Sequence, residues 1–568
     1  MWRYINSRKG TSHGVGTLTA NGQTAVDPKD KAEMLNAQFT SVFTSDVPDT
    51  PPVLEPSPFP AMSKITIAPP GVCALLKKLD TRKASGSDGI PTTLLKSCAD
   101  TIAPTLSKII QQSINDNVVP TDWKKAIVSP VFKKGDRSKP ENYRPISLTS
   151  ICCKLSEHII VSEIMKHLDM YKILNDSQHG FRKRRSCESQ LLITSHDLAT
   201  ILNRHSQADV AVLDFSKAFD KVPHDRLIQK LKYCNLHTDV VGWITSFLKD
   251  RTQRVVVDSY TSSESPVLSG VPQGSVLGPI LFLIFINDIS TSLSSPVRLF
   301  ADDCLLYREI KSINDQHILQ RDLDHLVDWS KLWGMEFNVK KCNIITITLK
   351  TKNKLRFTYK MEGQVVAGIR NTKYLGVTFT DKLTWDTHIA NISGAANRML
   401  GFVARNLKHC PRAPKEKAYK SYVRPKLEYC SSIWDPHQQK DISRLEMTQR
   451  RAARFVTNTP YRRTEQQVSI SATIRDLGWK SLAERRQANR LSLLYKVTNK
   501  LVEVPEAYHP LLRVPQPSRG NQRQYVWPQS DVNSFKFSFL PRTIADWNSL
   551  GAEVVAAETL DTFKRLLL

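Results

Sequence analysis

The chain has 568 residues, a hydrophobic fraction of 40%, and 80 Lys and Arg against 54 Asp and Glu, a net charge of +26. That length exceeds one compact core, and that hydrophobicity excludes a wholly disordered chain, so several globular domains are expected. The charge constrains partners rather than fold: it favours a polyanion, of which nucleic acid is the commonest.

In chain order, the spacing predicts an amphipathic helix over 27–43, with Ala32, Leu35, Phe39 and Phe43 on one side. Six prolines between 48 and 60 mark a linker that can be neither helix nor central strand. From about 64 the pattern is mixed α/β. Helices are predicted at 69–80, 91–117, 150–170, 186–204 and 224–250, and strands near 126–132, 209–214, 252–258, 296–301 and 304–309. The most apolar run, 276–286, is far shorter than the roughly 20 residues that span a bilayer, and Gly278-Pro279 interrupts it, so it reads as a buried helix.

Beyond 385 the strand signal fades. Residues 386–500 read as helical and basic. Ile442, Leu445, Ala452, Phe455 and Val456 mark one helix face, with Arg444, Arg450, Arg451 and Arg454 mainly off it. Between 444 and 463 these four arginines, with Arg462 and Arg463, meet a single acid, Glu446. A proline-bearing, loop-rich stretch at 503–530 precedes a short tail around Trp547 and Phe563. The expected domains are therefore 1–63 (helix and linker), 64–385 (mixed α/β), 386–500 (helical, basic) and 501–568 (loop-rich tail).

Ten scattered cysteines form no Cys-x-x-Cys pair and no zinc spacing, which suits free thiols in a reducing compartment. The opening Met1-Trp2-Arg3-Tyr4-Ile5-Asn6 lacks the apolar run of a signal peptide. An intracellular, non-secreted, non-membrane protein is expected, with nucleus and cytoplasm left open.

The chemistry is concentrated in two places. In Leu299-Phe300-Ala301-Asp302-Asp303-Cys304-Leu305-Leu306-Tyr307, adjacent carboxylates sit between apolar runs, as at the tip of a hairpin. Adjacent aspartates repel, and a fold that holds them together suits a cation, although Asp-Asp is also simply a good turn. Upstream, Val210-Ala211-Val212-Leu213-Asp214 reads as a buried strand ending on a third aspartate. Were the strands neighbours in one sheet, Asp214, Asp302 and Asp303 would converge as ligands for two Mg²⁺ ions, the apparatus of phosphoryl transfer to a growing nucleic acid strand. Between them, Ser269-Gly270-Val271-Pro272-Gln273-Gly274 forms a turn before the apolar helix, where backbone can approach a ligand and Gln273 offers both a donor and an acceptor.

In this order, Asp214-Phe215-Ser216-Lys217-Ala218-Phe219-Asp220, Pro272-Gln273-Gly274 and Phe300-Ala301-Asp302-Asp303 resemble motifs A, B and C of reverse transcriptases. Their wording is similar to that of non-long-terminal-repeat (LINE-type) retrotransposons of the jockey and chicken-repeat groups. Further segments follow the same family: Ser85-Gly86-Ser87-Asp88-Gly89, Pro130-Val131-Phe132-Lys133-Lys134-Gly135-Asp136, Asn142-Tyr143-Arg144-Pro145, Gln178-His179-Gly180-Phe181-Arg182, Asn338 with Lys341, and Tyr374-Leu375-Gly376-Val377. Tyr422-Val423-Arg424-Pro425 through Arg454-Phe455 resembles its thumb.

The resemblance implies an α+β right-hand polymerase of fingers, palm and thumb, with an antiparallel palm sheet at 64–385 and a basic thumb at 386–500. It implies an RNA-directed DNA polymerase, with an RNA template, a DNA primer and deoxynucleoside triphosphates as partners. Asp214, Asp302 and Asp303 would be the catalytic metal ligands for two Mg²⁺. Phe219 would be a steric gate against the ribose 2′-hydroxyl and Gln273 a nucleotide contact. Lys133, Lys134 and Arg144 would face the triphosphate, and Lys341 would donate a proton to pyrophosphate. Arg444, Arg450, Arg451 and Arg454 would grip the template–primer duplex. Read from the residues alone, Phe219 is a core anchor sooner than a gate, and the lysines read as solvated. No segment resembles the family's endonuclease, so that activity is expected from elsewhere. The chain then reads as the polymerase portion of a longer element or as a host-encoded relic. The rival expectations are a catalytically silent nucleic-acid-binding remnant and an RNA polymerase.

Overall fold

A computed structural model describes residues 14–44, 52–459, 470–513 and 523–567. Arg462 and Arg463 lie outside the described residues.

The organising element is the strand Gln207–Leu213, buried along nearly its whole length. It is flanked on one side by Asp303–Ile310 and Val297–Phe300 and on the other by Asn343–Thr348 and Ala367–Ile369. Four of these five strands pair antiparallel, as expected, but the edge strand Ala367–Ile369 runs parallel to Asn343–Thr348. Because side chains alternate across a strand, each strand feeds two cores. Ala211, Leu213, Cys304, Leu306 and Ile344 enter one core with Phe282, Leu323 and Leu326. Ala208, Val210, Leu305, Tyr307, Ile345 and Ile347 enter the other with Leu192, Leu445 and Trp547.

A second sheet holds Tyr143–Leu148, Lys125–Phe132, Thr252–Val257 and Tyr260–Thr261 in that order. The N-terminal hairpin Leu18–Ala20 and Gln23–Ala25 and the helix Pro28–Thr40 pack on it through Leu18, Leu35 and Phe39, against Val128 and Val255. The helix expected over 91–117 is broken at Cys98 into Thr92–Ser97 and Ala99–Asn115. That expected over 224–250 is likewise two helices, His224–Tyr233 and Thr238–Leu248.

Helices dominate the C-terminal third, among them Asp386–Asn406, Gln439–Thr457 and Leu482–Thr498. The segment after 530, read from sequence as loop-rich tail, carries Phe539–Asn548 and Leu560–Leu567. Trp547 and Phe563 stack at 5.6 Å and are buried behind the central sheet. The buried Asp435 accepts from Arg486 at 2.7 Å and Arg490 at 2.9 Å and pairs with Arg542 at 3.2 Å, tying the tail helix to the helices before it. Among the described residues no helix is long and apolar enough to cross a membrane.

Candidate active site

The carboxylates are gathered by strand register. Cys304 pairs with Leu213, so one step further along the ladder Asp303 stands opposite Asp214. Asp303 also pairs with Phe300, leaving Ala301 and Asp302 as a two-residue turn with Ala301 at φ +54°. On the far side, Asn338 N–H donates to the Asp214 carbonyl at 2.8 Å, and Lys341 Nζ lies 3.4 Å from its carboxylate.

The electrostatics report the crowding. Burial pushes Asp303 up to about 6, and the neighbouring charges of Asp302 and Asp214 add to it. Burial likewise raises Asp302, with Asp214 adding to the effect. Lys133 and Arg144 oppose both shifts, so the hairpin of Lys125–Phe132 and Tyr143–Leu148 brings its cations to face the acids. Lys133 itself is held low by desolvation and by Arg144, while Asp214 and Asp302 pull it back up. Lys134 is exposed and adds its charge beside Lys133.

Among the described residues, no three carboxylate, thiol or imidazole groups are close enough together to ligate one ion unaided. A hard-oxygen donor set in which burial and neighbouring charge raise Asp302 and Asp303 fits a hard cation.

Phe219 lies on the helical turn Ala218–Lys221 and stacks on Phe282 at 4.4 Å and 18°. The ring is therefore both anchored to the core and fixed in place. The turn at 270–274 is bonded to this segment: Gly270 N–H donates to the Val222 carbonyl at 2.8 Å and Val271 N–H to that of Phe219 at 2.8 Å. A Cβ on Gly270, at φ +85°, would meet the Asp220 carbonyl oxygen at 2.6 Å, so only glycine fits. Gln273 Nε2 donates to Asp220 Oδ1 at 2.7 Å, and its carbonyl accepts from Ser147 N–H at 2.7 Å. The nucleotide-contact candidate is thus held between the Phe219 turn and the second sheet.

Two residues with clear structural roles here were not singled out from sequence. One is Asp220, which orients Gln273. The other is Glu157, fully buried, whose carboxylate accepts from Val276 N–H at 2.6 Å and Leu277 N–H at 2.9 Å and so caps the helix Gly278–Phe285. A lone glutamate within the buried face of Ile151–Met170 was the available signal.

Arg444, Arg450 and Arg451 are exposed on Gln439–Thr457, Arg454 is half-buried, and Arg451 Nη1 donates to Asn397 at 3.3 Å.

The reverse transcriptase (RNA-dependent DNA polymerase) family model matches residues 131–379, which contain all three aspartates, Phe219, Gln273 and Lys341. The RNA-directed DNA polymerase from mobile element jockey of Drosophila melanogaster is 29% identical over 403 residues, 68% of this chain and 43% of that protein. The probable RNA-directed DNA polymerase from transposon BS of the same species is 29% identical over 399 residues, 68% of this chain and 44% of that protein. A retrovirus-related Pol polyprotein from the type-1 retrotransposable element R2 of Popillia japonica is 27% identical over 372 residues, 61% and 49% of the two chains. The chain thus spans less than half the length of these curated relatives. Residues 131–379 thus match the reverse transcriptase family model, and the relatives the chain resembles are proteins of mobile elements.

Proposed function

We propose that this chain is an RNA-directed DNA polymerase that extends a DNA primer on an RNA template with deoxynucleoside triphosphates. The observation that carries this reading is the carboxylate cluster: Asp303 opposite Asp214 at adjacent strand ends, with Asp302 in the turn and with burial and the two neighbouring charges raising Asp303. In a right-hand description the central sheet is the palm, the hairpin bearing Lys133 and Arg144 the fingers, and the basic helices after 385 the thumb.

Asp214, Asp302 and Asp303 would hold Mg²⁺, which when bound acidifies the primer 3′-hydroxyl and neutralises charge on the leaving pyrophosphate. The chain's own groups do the rest. Lys133, Lys134 and Arg144 attract and orient the triphosphate through charge-assisted hydrogen bonds. Lys341, beside Asp214, holds a proton for the departing pyrophosphate. The Phe219 ring, stacked on Phe282, would form a wall where a 2′-hydroxyl would sit. Gln273, oriented by Asp220, presents its remaining amide groups to the incoming nucleotide. Arg444, Arg450, Arg451 and Arg454 bind duplex phosphates, a contact blind to sequence and weakened by salt.

The test is primer extension on an RNA template with deoxynucleotides and Mg²⁺. The reading requires extension by the wild-type chain and its loss in Asp302→Ala and Asp303→Ala. A folded wild-type chain that binds RNA–DNA hybrid yet never extends it would instead be the silent binding remnant.

A further inference from the structure

The turn that carries Asp302 and Asp303 is unfavourable on its own terms. Ala301 takes a left-handed φ of +54°, which strains an L-residue with a Cβ, and two carboxylates follow it directly. Something outside the hairpin must hold it.

The 177–180 segment runs beside the strand Val297–Phe300. Leu299 N–H donates to the Ser177 carbonyl at 2.9 Å and His179 N–H to the Leu299 carbonyl at 2.9 Å. Where that pairing ends, the Gln178 side chain continues it. Its Oε1 accepts from Ala301 N–H at 2.9 Å and Gly180 N–H at 2.8 Å, and its Nε2 reaches the Ala301 carbonyl at 3.4 Å. One buried amide thus serves both backbone polar groups of the strained residue. The fit leaves no slack: a Cβ on Gly180 would lie 2.4 Å from Ala301 N. The segment is braced in turn by Arg185, whose Nη1 donates to the Gln178 carbonyl at 3.2 Å and whose Nη2 bonds Asp176 at 2.7 Å and Glu503 at 3.0 Å.

We infer that Gln178 is a positioning residue that sets the height of the Asp302–Asp303 turn against Asp214, and through it the geometry of the cation site. This rests on the polymerase reading for its kinetic consequence, but its geometric content does not.

The experiment compares the wild-type chain with Gln178→Met, Gln178→Glu and Gly180→Ala. The readouts are nucleotide addition, Mn²⁺ binding to the protein–hybrid complex by electron paramagnetic resonance, hybrid binding and thermal melting. Gln178→Met removes the hydrogen bonds at similar volume, and Gly180→Ala displaces the turn while deleting none. Each is expected to weaken Mn²⁺ binding and lower kcat about 10- to 100-fold, as losing a ligand's supporting hydrogen bonds does. The deoxynucleotide KM, hybrid affinity and a cooperative melt should be retained. Gln178→Glu keeps the acceptor for both N–H groups but turns an oxygen towards the Ala301 carbonyl, so it should fall between Gln178→Met and wild type. Wild-type Mn²⁺ affinity in Gln178→Met would overturn the inference, as would equal loss in the Met and Glu variants together with lost hybrid binding. A wild-type chain that binds Mn²⁺ but never extends a primer would sink the polymerase reading alone, and the Mn²⁺ comparison would still judge Gln178.

Discussion

Two aspartates five residues apart, one on the central strand and one just past its end, show opposite uses of the same side chain. Asp209, near the start of Gln207–Leu213, is fully buried and saturated. Its Oδ1 accepts from Gln207 at 3.0 Å and Thr346 at 2.8 Å, and its Oδ2 from Gln316 at 3.1 Å and Tyr359 at 2.7 Å. Asp214, just past the strand's other end, faces two more carboxylates and has one lysine at 3.4 Å. Neutral donors that fill every lone pair make a carboxylate part of the framework. A carboxylate crowded by others of its kind, with oxygens to spare, is poised to take a cation. The difference lies in the neighbours that topology delivers, not in the residue.

The contrast predicts opposite phenotypes. Asp303→Asn or Asp214→Asn should reduce nucleotide addition by about a thousandfold or more while leaving the fold intact, since charge aimed at the reacting phosphates is lost. Asp209→Ala should do the reverse. It removes the acceptor of four donors, three of them on buried residues and each worth about 1 kcal/mol or more, and so should cost several kcal/mol of stability by chemical denaturation. Its remaining folded fraction should keep a near-normal turnover. A stable, inactive Asp209 variant would break the comparison.

The parts legible in the sequence are those with a local signature. Apolar runs ending on Asp214 and flanking Asp302-Asp303 gave the strands, and the resemblance of the surrounding segments gave their order. What stayed hidden depends on contact between distant segments. The strand Tyr143–Leu148 was masked by Pro145, which argues against a strand until it is seen opposite Pro130, where neither residue has an amide hydrogen to satisfy. The strand Asn343–Thr348, which flanks the central strand, is an exception: five of its six residues are β-branched, a local signal that went unread. Asp220, Gln178 and Glu157 act on backbone groups 53, 123 and more than 100 residues away or on side chains equally distant, and no periodicity encodes such a pairing.

Crowding should also govern selectivity, on a smaller scale. If Phe219 is the proposed gate, Phe219→Ala should raise ribonucleotide incorporation relative to deoxynucleotide by about tenfold or more, read from the ratio of kcat/KM values. Phe282→Leu keeps the gate ring but removes the aromatic face beneath it, and should relax the same ratio less. Unchanged discrimination in Phe219→Ala would leave the ring as a core anchor only.

The smallest effect is the most specific to the carboxylate cluster. In the folded chain Asp303 is raised to about 6, whereas in the unfolded chain it returns to about 3.9. A raised pKa means that the protonated form is favoured on folding. Its contribution is therefore fully present below the unfolded value and is lost as pH rises through about 6. Asp303→Asn removes this dependence, so without added metal it should melt above wild type at pH 7.5, with the gap closing as the pH is lowered towards 4. Mg²⁺ should raise the wild-type melting temperature at pH 7.5, raise it less at pH 5 where a proton competes for the same oxygens, and leave Asp303→Asn largely unmoved. A gap that widened on acidification would mean that the three aspartates do not share one field, and the contrast with the saturated Asp209 would lose its physical basis.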